Sequence, residues 1–517
     1  MGSEIPTNRL YFGDNLQFLR NRECFPDESV DLIYLDPPFN SAQSYNILFK
    51  EAEGTPSTAQ VKAFKDTWQW DESAARALHE LNDPERGAPS DLLRLMNAFG
   101  EFLRHSPMFA YLVQMAVRLV ELHRILKPTG SLFLHCDPTA SHYLKLVLDG
   151  IFGTKLFRNE IVWHYRRWTA ASKRFQRMHD IILFYANPTA GQLKKHERGW
   201  DRNTVMIGGK RQPQLIVYDN EKVQQAVKSG RIRLSDFARI VESKIPMTTA
   251  PDVWQIDHIN SQAQERLGYP TQKPLELLLR IIRSASSPGS IILDPFCGCG
   301  TTIDAVESLN NEHPYAAPRL WIGIDITHLA IDLIKNRLAT RFGLTPRDYD
   351  VVGEPTTVEE ARALAEENRY QFQYWALGLI GARPWGDEKK KGRDRGIDGW
   401  RTFLHGSGRV YRKCLVQVKS GKVNPSQIRD LKGTMERERA ELAAFITLEP
   451  ATSEMRAEAA SAGFYHSEVM NMDYPKIQIL TIEELLSNPD CFRIPPGGEF
   501  KPAPKFKPST DNQNKIF

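Results

Sequence analysis

Runs of consecutive apolar residues recur along the first two thirds of this chain, and they are the feature that most constrains its fold. The five strongest are VDLIYLD (30–36), SLFLHCD (131–137), DIILFYA (180–186), SIILDPF (290–296) and LWIGIDI (320–326). Such runs are typical of strands that are buried on both faces of a sheet. Helical patterns separate them, at residues 107–127, 273–286 and 327–342. The alternation predicts a doubly wound, Rossmann-like α/β fold with a mostly parallel sheet.

Length and composition set the class of protein. A chain of 517 residues has room for about two to four domains. Its 41% hydrophobic and 25% charged residues are ordinary for a globular protein and exclude a collagen-like, disulfide-scaffold or wholly disordered chain. Six scattered cysteines predict free thiols. Because we find no apolar run long enough to cross a bilayer and no secretory leader, we expect a cytoplasmic protein with no membrane partner.

Positive charge is concentrated in one segment. Residues 158–211 contain 12 Lys and Arg against 4 Asp and Glu, a local charge of +8 within a chain whose formal net charge is +4. Aromatic residues, among them Trp163, Tyr165 and Phe175, lie between the basic ones. This mixture is expected where a protein holds phosphates and unstacked bases, although a solvated basic face would give the same pattern.

Two stretches interrupt the alternation of strands and helices. Residues 41–106 follow a DPPF turn with polar and helical sequence, which predicts an insertion beside the site. Residues 190–265 are basic and weakly periodic, which predicts a recognition segment.

A second domain follows the first. The first domain is expected at residues 1–345. The sequence TPRDYDVVGEPTT, at 345–357, has the composition of a linker, which we place at residues 346–357. Helical and apolar patterns resume at residues 358–486 and predict a second, smaller α/β domain. Residues 487–517 have little apolar content and predict a flexible tail.

A glycine-rich turn, DPFCGCGTT, follows the fourth apolar run at residues 294–302. Gly298 and Gly300 permit a tight turn and a close approach of the backbone to a ligand, and the next helix presents its first amides to a carboxylate or phosphate. Asp325, at the end of the following strand, is placed to accept hydrogen bonds from ribose hydroxyls. A dinucleotide, S-adenosylmethionine or a purely structural turn would each fit this pattern.

The DPPF motif ends the first apolar run and supplies a different chemistry. The exocyclic amine of a nucleobase is a poor nucleophile, because its lone pair is delocalised into the ring. Asp36 and the carbonyl of Pro37 can accept both amine hydrogens, while Phe39 stacks on the extruded base. Pro37 and Pro38 fix the backbone, so that the acceptors are preorganised.

In combination, these motifs resemble the amino-DNA methyltransferases that form N6-methyladenine or N4-methylcytosine. The resemblance covers about residues 8–345. It includes GDNLQFL (13–19), SVDLIYLDPPFN (29–40), ILKPTGSLFLHCD (125–137), HDIILFYAN (179–187), TQKP (271–274) and DPFCGCGTT (294–302). With DPPF ahead of the glycine turn, the order of motifs resembles that of the circularly permuted β group.

The resemblance implies S-adenosyl-L-methionine as cofactor, double-stranded DNA as partner and, in many members, a homodimer. It assigns the target base to Asp36, Pro37, Pro38 and Phe39. It assigns the cofactor pocket or its supporting helix to Asp14, Lys273, Asp294, Phe296, Gly298, Gly300, Thr301 and Asp325. His135 and Cys136 fit a core position and a site position equally well.

The second domain contains a candidate nuclease constellation. Gln417 and Lys419 are two residues apart in the strand LVQVKSGKV, so both side chains point to one face, with Asp398 of GRDRGIDGW in the preceding segment. The pattern resembles the D…QxK branch of the restriction-endonuclease-like PD-(D/E)xK superfamily. That resemblance implies Mg²⁺ or Mn²⁺ at Asp398. Because Gln417 replaces a carboxylate, a domain that only holds DNA is the alternative.

The sequence therefore predicts a site-specific DNA methyltransferase with a nuclease-like domain, in a restriction-modification or DNA-defence system. N6 of adenine is the favoured target, and the alternative is an N4-cytosine enzyme whose second domain only binds DNA. Two other classes remain open: a methyltransferase acting on RNA or a protein amide, and a DNA-binding protein without catalysis. Asp36, the motif order and the basic segment favour the first interpretation.

Overall fold

The computed structural model confirms the α/β class and contains two large sheets. The residues that it describes are 5–38, 69–84, 87–166, 175–186, 204–207, 210–213, 252–260, 263, 265–267, 269, 271–312, 314–385, 396–405 and 410–496. Within them, no helix is both long and apolar enough to cross a membrane.

The first sheet has nine strands. These are β1 (Arg9–Phe12), β2 (Val30–Leu35), β3 (Leu126–Cys136), β4 (Phe157–His164), β5 (His179–Ala186), β8 (Val253–Gln255), β9 (Ile291–Asp294), β10 (Leu320–Asp325) and β11 (Asp350–Val352). Their order in the sheet is β11-β1-β10-β9-β2-β3-β5-β4-β8. From β11 to β3 in this spatial order, each strand is parallel to its neighbours. Strand β5 is antiparallel to both β3 and β4. All five apolar runs are strands of this sheet.

Helices cover both faces of the first sheet, as a doubly wound fold requires. One face carries α1 (Asn15–Arg20), α2 (Glu72–Leu81), α3 (Ser90–Leu103), α4 (Pro107–Ile125) and α5 (Ser141–Phe152). The other carries α6 (Leu275–Ala285), α7 (Thr301–Glu312) and α8 (His328–Phe342). Each set buries a separate apolar core against the sheet.

The junction between α4 and β3 differs from the sequence prediction. The sequence pattern predicts a helix at 107–127 and a strand at 131–137, with Pro128 and Gly130 between them as helix-ending residues. The helix ends at Ile125 and β3 begins at once, with Leu126 paired to Val30 of β2. The register shifts between Val30 and Leu32, so the irregularity falls inside the strand pair instead of in a separate turn.

The second sheet belongs to the C-terminal domain. Its strands are β12 (Arg383–Pro384), β13 (Gly399–His405), β14 (Val410–Lys419), β15 (Leu442–Thr447) and β18 (Ile477–Thr481), and they are neighbours in that order. Between β15 and β18 in the chain, β16 (Phe464–Ser467) and β17 (Met472–Pro475) form an antiparallel pair of their own. The helices are α9 (Val358–Glu367), α10 (Arg369–Leu379), α11 (Pro425–Arg437), α12 (Ser453–Ala460) and α13 (Ile482–Ser487).

The chain between the domains is more structured than a linker. Strand β11 lies within the stretch 346–357 and adds to the first sheet beside β1. The start of the predicted tail is also packed: Arg493 N donates to Gln478 Oε1 at 2.9 Å and Leu404 N donates to Pro496 O at 2.8 Å. The tail beyond residue 496 lies outside the described residues.

Helices α8 and α10 join the two domains. His328 N donates to Gln371 Oε1 at 3.3 Å. Further along the same pair, Gly378 lies so close to Asp332 that a Cβ would overlap the carboxylate. Burial raises the pKa of Asp332 to about 7, although Lys335 opposes the shift. A glycine at 378 is therefore what allows the two helices to approach.

The two predicted insertions are described in part. Helices α2 and α3 lie within 41–106, and residues 39–68 are outside the described part of the chain. From 190–265, the structure describes the paired strands β6 (Thr204–Ile207) and β7 (Lys210–Pro213), strand β8 and its neighbours. The prediction of a recognition segment lies mostly outside the described residues.

Candidate active site

The two sequence motifs meet at one edge of the first sheet. Strands β2 and β9 are parallel neighbours, with Ile33 paired to Leu293. Asp36 directly follows β2, and Asp294 ends the neighbouring strand β9 at the same edge. Asp325 ends β10, which is the next neighbour of β9. The carboxyl ends of parallel strands at this position are where open α/β sheets bind ligands.

The turn after β9 needs both of its glycines. Gly298 and Gly300 have φ values of +50° and +74°, which residues with a side chain rarely adopt. A Cβ at Gly300 would lie 2.6 Å from Ile334 Cγ1, and one at Gly298 would lie 3.3 Å from the Tyr269 ring. The turn is closed by Gly300 N donating to Cys297 O at 2.8 Å. The backbone therefore forms a narrow cradle immediately before α7.

Two buried carboxylates shape this cradle. Asp294 accepts from Thr302 Oγ1 at 2.5 Å and from Phe296 N at 3.1 Å. Burial raises the pKa of Asp294 to about 7, with further contributions from the charges of Asp36 and Asp325. Burial likewise raises the pKa of Asp325 to about 6, although hydrogen bonds from Thr327 and Gly298 oppose the shift. Gly298 N donates to Asp325 Oδ2 at 2.9 Å, so this acid fixes the glycine turn itself.

Helix α1 closes the other side of the cradle. Asp14 caps the helix by accepting from Leu16 N at 3.0 Å, and it also pairs with Arg118 at 2.8 Å. The next residue, Asn15, donates to Pro295 O at 2.8 Å. Sequence reasoning selected Asp14 and missed Asn15 and Arg118, because their partners lie far away in the chain.

Lys273 contacts the DPPF motif directly. Its ammonium donates to Asp36 Oδ2, and the two side chains are 13% and 16% exposed. The described contacts place Lys273 on this carboxylate, and its predicted contact with the cofactor or its helix stays a prediction. Asp36 Oδ1 is buried and receives no hydrogen bond from the residues that the structure describes.

A histidine lies behind Asp36. His135, which is fully buried, places Nδ1 3.5 Å from Asp36 Oδ1 and 3.0 Å from the Tyr34 hydroxyl. Its Nε2 is 3.5 Å from Asp180 Oδ2, and the Tyr165 hydroxyl donates to Asp180 Oδ1 at 3.1 Å. Burial works to raise the pKa of Asp180, but His135, Lys273 and Tyr165 outweigh it and lower the pKa to about 2.

The remaining predicted residues are found as follows. Pro37 is buried and Pro38 is half-buried, whereas Phe39 lies outside the described residues. Phe296 packs at the margin of the first core. Thr301, the first residue of α7, receives a hydrogen bond of 3.4 Å from Arg337, so its hydroxyl contacts a buried arginine.

Two aromatic residues of the basic segment are buried in the hydrophobic core. Trp163 and Tyr165 are 0% and 1% exposed and belong to the core on the α6 side of the sheet. The expectation that they hold unstacked bases is therefore wrong, because both side chains pack within this core. Phe175, in contrast, is fully exposed.

The second domain brings its three predicted residues together, with Asp398 directly before β13 and Gln417 and Lys419 on the neighbouring strand β14. Asp398 N donates to Val416 O at 2.9 Å, and Val418 N donates to Asp398 Oδ2 at 2.7 Å, so that the two bonds bracket Gln417. Gln417 is 6% exposed and its Oε1 accepts no hydrogen bond from the described residues. Lys419 lies on the same face of β14, half-buried. One oxygen of the sole acid in this trio is thus occupied by the backbone.

A wider search for metal ligands gives no further candidate. No cluster of three or more His, Cys, Asp or Glu side chains with ligand geometry occurs within the described ranges. The metal predicted at Asp398 would therefore depend on Gln417 and on backbone oxygens.

Comparisons with known proteins cover both domains. Residues 30–336 match the family model described as DNA methylase, N6_N4_Mtase. Residues 378–487 match the model described as NACHT-associated inactive Restriction Endonuclease 1.

Individual relatives agree with the first match. The Type II methyltransferase M.HpaI of Haemophilus parainfluenzae is 25% identical over 334 residues, covering 65% of this chain and 75% of the relative. The DNA adenine methyltransferase YhdJ of Escherichia coli K12 is 25% identical over 338 residues, covering 65% and 84%. Among solved structures, a DNA modification methylase of Thermus thermophilus in complex with S-adenosyl-L-methionine aligns with a TM-score of 0.32 and 18% identity, over 68% of this chain and all of that one.

The match to the DNA methylase model spans more than half of the chain and includes both motifs that meet at the sheet edge. The chain therefore belongs to the N6 and N4 DNA methyltransferase family.

Proposed function

We propose that this protein transfers a methyl group from S-adenosyl-L-methionine to N6 of a flipped adenine in double-stranded DNA. The observation that carries the proposal is the position of Asp36, which is held by Lys273 at the sheet edge beside the glycine cradle. A carboxylate fixed at one oxygen, next to a turn built for close approach of a ligand, suits methylation of an amine.

The cradle fits S-adenosylmethionine. A Cβ at Gly300 would collide with Ile334 and the φ of this residue is +74°, so the tight backbone path of the turn requires glycine. The first amides of α7 would face the carboxylate of the cofactor, and Asp325 and Asp14 would hold its polar groups. When bound there, the cofactor supplies an electrophilic methyl group on sulfur.

The DPPF residues would act on the base. Asp36 Oδ1 and the carbonyl of Pro37 would accept the two amine hydrogens, which localises the nitrogen lone pair toward the methyl donor. Lys273 fixes the carboxylate through Oδ2, so that Oδ1 keeps its direction. Pro37 and Pro38 hold the backbone rigid, and Phe39 would stack on the base.

Adenine is preferred over cytosine for two reasons. The DPPF motif begins with Asp, and a 25% identical relative is named a DNA adenine methyltransferase. The order of the two motifs in the chain supports the permuted β group. The basic segment 158–211 would supply the contacts to DNA phosphates that set the salt dependence of binding.

For the second domain we propose DNA binding without cleavage. The domain would be a degenerate member of the PD-(D/E)xK group, in keeping with its match to a model described as inactive. Asp398 has one oxygen on Val418 N, and Gln417 cannot supply the charge of a second carboxylate, so Mg²⁺ or Mn²⁺ would bind weakly. Lys419 would contact a phosphate. Such a fusion suits a restriction-modification or defence system.

The methyltransferase proposal can be tested with Asp36→Ala. Whole-genome-amplified DNA, which contains no modified bases, would be incubated with labelled S-adenosylmethionine, and its nucleosides would be identified by mass spectrometry. We expect N6-methyladenine from the parent protein and at least about a 100-fold slower reaction from the variant. Calorimetry should show nearly equal cofactor affinity in the two. Methylated cytosine would refute the choice of base, and full activity of Asp36→Ala would refute the site.

The second-domain proposal needs a separate measurement. The full chain would be incubated with methylated and unmethylated DNA and either Mg²⁺ or Mn²⁺. We expect no cleavage. Lys419→Ala should weaken DNA binding and lower its salt dependence by about one phosphate contact. Cleavage that Lys419→Ala abolishes would instead establish an active nuclease.

A further inference from the structure

Methyl transfer to an amine leaves a proton that must be removed. When the bond from nitrogen to the methyl carbon forms, the bond from that carbon to sulfur breaks, and its electron pair stays on sulfur. The nitrogen becomes cationic and returns to a neutral amine by losing one proton. Asp36 Oδ1 is the acceptor that the proposed function places beside that nitrogen, and it must be free of the proton again before the next turnover.

The surroundings of His135 suit it to receive this proton. Asp180 Oδ2 faces Nε2 at 3.5 Å, which favours the tautomer that carries its hydrogen on Nε2. Nδ1 is then the unprotonated nitrogen, which accepts from the Tyr34 hydroxyl at 3.0 Å and lies 3.5 Å from Asp36 Oδ1. An imidazole oriented and charge-compensated by a buried carboxylate is a general base.

We propose that His135, oriented by Asp180, takes the product proton from Asp36 during methyl transfer. The proton leaves the amine nitrogen for Asp36 Oδ1 and then reaches His135 Nδ1, while the Tyr34 hydroxyl turns away. Asp36 returns to its ionised form, and the imidazolium lies between two carboxylates. This inference rests on the proposed methyltransferase function and assigns His135 and Asp180 as positioning residues that act through Asp36.

The groups around His135 come from four parts of the fold, three of which supply charged or titratable side chains. Asp36 and Tyr34 face it from β2 and its end, and Asp180 faces it from β5. Strand β4 covers it with the edge of Trp163 at 5.4 Å. Lys273 contacts the other oxygen of Asp36, Oδ2, from the segment before α6.

The first test does not depend on activity. Nuclear magnetic resonance of isotope-labelled histidine in the protein without cofactor or DNA reports which imidazole nitrogen carries the hydrogen, and His135→Asn identifies the signal. We expect hydrogen on Nε2 in the parent protein and a different tautomer in Asp180→Asn, whose amide can donate to Nε2. Hydrogen on Nδ1 in the neutral parent imidazole would overturn the proposal.

The second test measures kcat at saturating cofactor and DNA across the pH range in which the protein stays folded. His135→Asn should lower kcat about 100-fold with little change in KM, and it should remove the loss of activity on the acid side. The exposed His142→Asn is the matched control and should match the parent. If His135→Asn does not fold, Asp180→Asn serves, with an expected loss of about 10-fold or more.

The outcomes separate this inference from the proposed function. A parent protein that methylates no DNA contradicts the proposed function. In that case the tautomer measurement still tests whether Asp180 orients His135. A parent that methylates DNA, with His135→Asn equal to it in kcat and pH profile, refutes the relay alone.

Discussion

The Lys273 ammonium donates to Asp36 Oδ2 although the two residues are separated by 237 positions in the chain. Both side chains are largely buried, so the ion pair is made where water screens it little. The contact joins the TQKP and DPPF motifs and anchors one oxygen of the carboxylate, and in the proposed function the other oxygen faces the base.

Replacing Lys273 should therefore impair chemistry more than cofactor binding. Lys273→Met keeps the length of the side chain but removes the ammonium that holds Asp36 Oδ2. We expect kcat to fall about 10-fold to 100-fold, since an acceptor positioned in advance is lost. Calorimetric affinity for S-adenosylmethionine should change little. Lys155→Met, at an exposed position, is the control, and a large loss of cofactor affinity would return Lys273 to the cofactor pocket.

The glycine cradle allows a matched pair of substitutions. Gly300 and Gly343 have nearly equal φ values, +74° and +75°, but a Cβ at Gly343 has no atom within 4 Å, whereas one at Gly300 would meet Ile334. Gly343→Ala should cost only the backbone strain, about 1 kcal/mol. Gly300→Ala should lower the thermal midpoint further and reduce cofactor affinity. Equal effects of the two would show that the cradle does not require close packing.

The contact between the domains allows a second pair. Gly378→Ala places a methyl group against the buried Asp332 carboxylate, and we expect a loss of about 1 to 3 kcal/mol with faster proteolysis between the domains. Gly433→Ala, in the exposed middle of α11 with nothing within 4 Å, should instead stabilise by about 0.5 to 1 kcal/mol. If both substitutions stabilise, α8 and α10 do not pack closely in solution.

Asp294 should make stability depend on pH. Its pKa rises from the ordinary value of 3.8 to about 7, so the folded state binds the proton more tightly than the unfolded state. This contribution stabilises the fold at low pH and is lost as pH rises from 3.8 to about 7. Asp294→Asn can keep both hydrogen bonds but does not titrate. Between these two pH values, its free energy of unfolding should therefore change by a few kcal/mol less than that of the parent, about the worth of such a shift. Urea unfolding at several pH values measures it, and parallel curves for parent and variant would contradict it.

Much of the first sheet is predictable because its strands are buried on both faces. Val30–Leu35, Leu320–Asp325 and their neighbours are continuous apolar runs, and this pattern needs no long-range information. The face shared by Gln417 and Lys419 follows in the same way from the alternation of side chains along one strand. Local periodicity therefore locates the elements and the edge where the motifs end.

The interactions within the site are harder to predict, because they join residues distant in the chain. His135 follows an apolar run like many core residues, and only the neighbouring strand β5 brings Asp180 to its Nε2. Trp163 shows the opposite case: it lies in a basic segment, and pairing of β4 with β5 buries it. Strand β11 is three residues long, too short for periodicity to distinguish from a linker.

The position of β1 also has a consequence during synthesis. This strand, at Arg9–Phe12, is made before its two sheet partners in the described structure, β10 and β11, which end at Asp325 and Val352. A nascent chain must therefore keep these residues unpaired while more than three hundred others emerge from the ribosome. Pairings of such separation slow folding. The cradle, which needs Gly13 N on Asp325 O at 2.9 Å, can be completed only when synthesis of the first domain is nearly over.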